Sequence, residues 1–171
     1  MNASVKVSLL TLAIAAAFAP VNGNAAEVSQ VIAGSAITHC QAFTPGPTNT
    51  IRNRVIGSEN IGNTLALACG FEVDGGAITA DGVQEVKLFL SNTGTAPISI
   101  SCTLAAGFAG DFSYFFSTTT PVAAGAQVPV VFVPDDGAAG FGEAIVGVNC
   151  TLPKNGAVYD TYVTYNIDNG V

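Results

Sequence analysis

Four groups of residues in this chain could do chemistry. The thiols are Cys40, Cys69, Cys102 and Cys150, and the single imidazole is His39. Carboxylates gather in Asp135-Asp136-Gly137 and in Asp74-Gly75-Gly76 with Asp81-Gly82. Aromatic rings gather in Phe112, Tyr114, Phe115 and Phe116, and again in Tyr159, Tyr162 and Tyr165. An even thiol count in an exported chain points to disulfides. No two cysteines have the C-x-x-C spacing of a zinc or redox site. His39 could act as a base or a metal ligand. It neighbours a disulfide-forming cysteine and has no serine or carboxylate constellation, so it reads as a strand-end residue. One histidine rules out His-Glu-x-x-His, and no Gly-x-Ser-x-Gly elbow is present. The aspartates could form a glycosidase pair or a surface Ca²⁺ site. Their glycine neighbours mark them as turns first, and the EF-hand spacing is absent. The aromatics could form a platform for sugars or for a protein partner, though core packing accounts for most of them. Phe115 and Phe116 are adjacent and cannot both face a core. The sequence therefore assigns no catalytic residue, no cofactor-binding residue and no metal ligand, and the chain reads as a non-enzyme.

The elements that must position these groups are strands. Ile98, Ile100, Cys102 and Leu104 alternate with Ser99, Ser101 and Thr103, the pattern of a half-buried antiparallel strand. Val86, Leu88 and Leu90 alternate with Glu85, Lys87 and Ser91, with Phe89 the exception. Asn92–Pro97 lies between, so residues 85–104 are predicted to form a hairpin. Val128, Val130 and Phe132 mark a further strand, which Pro129 makes an edge or a bulge. Others are predicted at 144–152, at 158–167, and at Val28–Thr38, Ile51–Ile56, Leu65–Phe71 and Phe112–Thr118. These are roughly eight short strands separated by turn residues. They predict an all-β chain, a single antiparallel β-sandwich of immunoglobulin-like or jelly-roll-like type. Four cysteines permit three pairings. Cys69, Cys102 and Cys150 lie on apolar strand faces, which favours Cys40–Cys69 and Cys102–Cys150.

Composition fits this reading. Of 171 residues only 10% are charged, against about 25% in ordinary globular proteins. With 5 Lys+Arg against 12 Asp+Glu the formal net charge is −7, which excludes the basic surface that nucleic acid requires. Residues 1–25 have the form of a secretory signal: Lys6, the apolar run Leu9–Phe18, then Pro20 and small residues. That run is about half the roughly 20 residues of a spanning helix. Residues 26–171 are then one secreted domain, periplasmic or extracellular, with no transmembrane segment.

Several short stretches together resemble a group of small, uncharacterised secreted bacterial proteins. They are His39-Cys40-Gln41-Ala42, Leu67-Ala68-Cys69, Ser101-Cys102-Thr103-Leu104, Asn149-Cys150-Thr151-Leu152-Pro153 and Tyr162-Val163-Thr164-Tyr165. The resemblance implies a β-sandwich stapled by two disulfides and lends no catalytic residues. Leu90–Ile98 is similar to a hairpin of immunoglobulin-like surface modules. The expected function is a secreted, non-catalytic structural or interaction protein of the envelope or matrix. Its expected partner is a second copy or another surface protein, with Val28–Ile37 as a strand donor for self-assembly. The alternative is a glycan- or calcium-binding surface module.

Overall fold

A computed structural model describes residues 27–43, 50–55, 57–73, 78–107, 114–135, 140–141 and 145–168. Residues 1–25, with the proposed signal, lie outside them. The described residues form eleven strands and one short helix: β1 Glu27–Ser35, α1 Ala36–His39, β2 Cys40–Ala42, β3 Ile51–Asn53, β4 Ser58–Asn60, β5 Leu65–Glu72, β6 Ile78–Asn92, β7 Ile98–Ala106, β8 Tyr114–Val122, β9 Gln127–Phe132, β10 Ile145–Leu152 and β11 Gly156–Asp168. All pairings are antiparallel. One sheet runs β3-β4-β11-β6-β9, with β1 also paired to β11. The second runs β2-β5-β10-β7-β8. No helix among the described residues is long and apolar enough to cross a membrane.

Period-2 alternation puts one face of each sheet into a shared core. Val86, Leu88, Leu90 and Val163 from the first sheet meet Leu67, Ile100, Leu104, Val148 and Leu152 from the second, all of them buried. Cys40 is bonded to Cys69 and Cys102 to Cys150. Each pair consists of directly opposed residues on neighbouring strands. The second pair closes a separation of 48 residues and is fully buried.

Several expectations need correction. Residues 85–104 do not form a hairpin: β6 pairs with β11 and β9, and β7 with β10 and β8. The two apolar faces meet across the core, so Asn92–Pro97 is an arch between sheets. Alternation records only that each strand has a buried face, and both arrangements satisfy it. The predicted strand Val28–Thr38 ends at Ser35, and Ala36–His39 form one helical turn. This turn moves the chain from one sheet to the other. Ile51–Ile56 is not one strand; Arg54 N–H donates to the Gly57 carbonyl (2.7 Å), turning the chain from β3 into β4. Asp81-Gly82 lies within β6, not in a turn. Gly82 has φ 67° where the β6–β11 register skips from Val83↔Tyr165 to Ile78↔Ile167, and glycine accommodates that irregularity at no steric cost. Pro129 does lie on an edge strand, β9.

The arches leave backbone groups without ladder partners, and buried amides take them up. Asn92 Nδ2 donates to the carbonyls of Ala96 (2.8 Å) and Val122 (3.1 Å), and its Oδ1 accepts from Gly94 N–H (2.9 Å). Asn60 Nδ2 donates to Asn63 and Leu152 carbonyls, and its Oδ1 accepts from Thr50 and Gly62. The β10–β11 arch turns at Asn155, φ 67°, which donates its N–H to Asn60 and accepts from Thr93 N–H. Asparagine tolerates that left-handed geometry better than most residues.

Beside these amides Glu59, 2% exposed, accepts from Arg52 and Arg54 at Oε2 and from Thr93 at Oε1. Burial pushes its carboxyl up, but the hydrogen bonds from Arg54, Thr93 and Arg52 prevail and hold it at about 2, below its ordinary 4.5. The folded chain thus gives up this proton more readily than the unfolded chain. The stabilisation is complete above about pH 4.5 and is lost as pH falls toward 2. Glu59→Gln is expected to lower stability at neutral pH by about 1–2 kcal/mol and to flatten the acid limb between pH 4.5 and 2, measured by urea unfolding across pH. Replacing Cys102 and Cys150 together is expected to cost about 4 kcal/mol by chain entropy, read from the same unfolding curves.

Candidate binding trough

The outward face of the second sheet follows from the register. One row across it reads Gln41–Ala68–Asn149–Thr103–Ser117. The next reads Gly70–Gly147–Ala105–Phe115, and a third Ala66–Thr151–Ser101–Thr119. These rows carry no charged residue. Inward residues on the same strands include Cys69, Cys102, Cys150, Phe71 and aliphatics, and apart from Phe115 these three outward rows hold only polar or small residues.

Two exposed aromatics rise from its margins. Phe43, 63% exposed, follows β2, and its N–H donates to the Ala66 carbonyl (2.9 Å). Phe115, 70% exposed, stands on the edge strand β8. The adjacent Phe116 turns inward against Phe141, ring centroids 5.2 Å apart, so the two neighbouring phenylalanines divide as expected. Between Phe43 and Phe115 lies an open depression of about 350 Å³ whose lining includes Ala68, Thr103, Ala105, Gly147 and Asn149. Gly147 keeps this floor low, and Gly70 stands next to it in the same row. A Cβ added to Gly70 meets nothing within 4 Å, and one at Gly147 meets only the Cys69 carbonyl at 3.6 Å. Neither glycine is required by packing.

Two side-chain pairs hold the edge of this floor in shape. Thr103 and Ser117 hydroxyls are 2.8 Å apart, as are those of Ser101 and Thr119. Cross-strand hydroxyl pairs of this kind fix side-chain direction on a sheet surface. Asn149 keeps its amide on the exposed face and is not in a loop, although it begins an Asn-Cys-Thr triplet.

The remaining sequence candidates lie elsewhere. His39 ends α1 and is half-buried. Its Nδ1 is 3.1 Å from Thr161 Oγ1, and that hydroxyl donates to the Gly34 carbonyl, which leaves Nδ1 as the donor. The ring packs edge-on against Phe71, at 5.5 Å. These contacts make His39 a tie between β1, β5 and β11. Asp135 is exposed, while Asp74 and Asp136 fall outside the described residues. Among the described residues no group of three or more His, Cys, Asp or Glu could hold a metal ion. Tyr165 is buried, and Tyr162 packs on Phe89 on the outer face of the first sheet. Phe112 is outside the described residues. Phe43, Gly70, Gly147 and the Glu59 ion pairs were not singled out from sequence. A glycine at an outward strand position is the one signal that could have marked the floor.

No family model and no curated protein matches the chain. Among solved structures, a family 61 carbohydrate-binding module in complex with β-1,4-galactotriose is similar at 8% identity and TM-score 0.42, covering 81% of this chain and 88% of that one. A family 16 carbohydrate-binding module is similar at 12% identity and TM-score 0.40, covering 74% and 92%. A family 11 module from Clostridium thermocellum in complex with a β-1,3-1,4-mixed-linked tetrasaccharide follows at 8% and 0.38, covering 80% and 87%.

Proposed function

We propose that this chain is a secreted, non-catalytic module that binds neutral glycans in the trough between Phe43 and Phe115. The trough itself carries the reading. A pyranose ring has apolar C–H faces and a hydroxylated edge, so its site needs flat rings and a few placed polar groups. Phe43 and Phe115 supply exposed rings on opposite sides. Thr103 and Asn149 supply a hydroxyl and an amide on the floor, and Gln41 a second amide at the β2 end of the same row. Among the described residues no charge lines the depression, which favours uncharged sugars over uronates or sulfated chains. An open depression suits a chain over a single enclosed monosaccharide. Two disulfides fit an oxidising compartment outside the cytosol.

A glycan array followed by calorimetry on the strongest neutral oligosaccharide tests the reading. Phe43→Ala and Phe115→Ala are each expected to weaken binding about tenfold, the loss of one ring contact. Gly147→Val fills the floor with a strand-favouring side chain. It is expected to abolish binding while leaving the melting temperature unchanged. Silence on the array, or a Gly147→Val protein that binds like wild type, overturns the reading.

A further inference from the structure

Among the described residues the two sheets present five edge strands, and four carry a device that discourages association. Edge-to-edge pairing is blunted in natural sheets by proline, shortness or charge. Strand β9 has Pro129 in its middle, and β8 has Pro121 near its end. The β3 and β2 edges are three residues each. The remaining edge, β1, pairs with β11 on one side and, among the described residues, with nothing on the other. It is nine residues long, EVSQVIAGS, without proline, lysine or arginine. Its central residue, Val31, is 59% exposed. Residues Glu27–Ser35 are therefore not a loose donor strand, since their own chain already holds them in register. They are a finished strand with one open hydrogen-bonding side.

We infer that two copies of this chain associate edge to edge through antiparallel β1 strands, with Val31 on the two-fold axis. This inference goes beyond the glycan reading and does not depend on it. The strand is self-complementary in that register. Glu27 falls opposite Ser35, Val28 opposite Gly34, Ser29 opposite Ala33 and Gln30 opposite Ile32. No charge meets a like charge, and Glu27 is already held by Asn166 Nδ2 at 3.2 Å. Val31 meets its own copy, so two exposed apolar side chains shield one another. An isologous contact of this kind closes on itself, giving a dimer and not a fibre. The first sheets merge into one continuous sheet, β9-β6-β11-β1 from each copy. The troughs lie on the other sheets and stay open, so the dimer presents two.

Sedimentation equilibrium on the disulfide-intact full chain tests this, with concentration raised to about 1 mM, the weak limit of specific association. The expected result is a dimer for wild type and a monomer of unchanged melting temperature for Val31→Lys, which sets two ammonium groups on the axis. Val31→Cys is expected to form a covalent dimer on mild oxidation, whereas Ser29→Cys, off the axis, does not. A wild-type monomer at the highest concentration overturns the inference, as do a dimer that survives Val31→Lys and cross-linking by Ser29→Cys but not Val31→Cys. Glycan titration of Val31→Lys separates the two proposals, because its trough is intact.

Discussion

The structure depends on register being held in the second sheet. In a strand the side-chain period is two, so a slip by one residue exchanges the buried and exposed faces. Cys102 stands opposite Cys150 and Cys40 opposite Cys69, each pair covalently joined. A one-residue slip of β7 against β10 would bring Thr103 into the core and Leu104 out of it. The cystines lie on the core side, and the trough is the reverse of the same strands. Links that staple the interior therefore also set the order Ala68–Asn149–Thr103 on the surface.

The second constraint is the end of the sandwich where the chain passes from sheet to sheet. Asn92 and Asn60 each satisfy several backbone groups that an arch strands away from any ladder. Buried polar groups are tolerable only when their partners are complete. Here each amide has donors and acceptors filled. Glu59 adds the one deeply placed charge among the described residues, answered by Arg52, Arg54 and Thr93. Breadth of contact makes this end a clamp across β3, β4, β6 and both arches.

Fold class was legible in the sequence because burial imposes alternation locally. Val86-Leu88-Leu90 and Ile100-Cys102-Leu104 announce strands wherever they pair. Pairing itself was not legible, and the stretch between them shows why. Six residues can make a hairpin or an arch, and the choice rests on Asn92 finding Val122, distant in sequence. The same limit hid the trough. Phe43 and Phe115 are far apart along the chain and come to one face only through four strand pairings. Glu59 sits in a polar Ser-Glu-Asn stretch that looks like a surface turn. Only the fold shows that all three residues are buried.

The pairing of β1 with β11 brings Glu27 beside Asp168 as register partners. The outermost described residues of the sandwich are thus neighbours in space. That geometry suits insertion of residues 27–168 into a surface loop of a host domain, since it does not require Glu27 and Asp168 to be stretched apart. Because Glu27 and Asp168 meet on the sheet that does not bear the trough, a host could carry residues 27–168 with the trough turned outward.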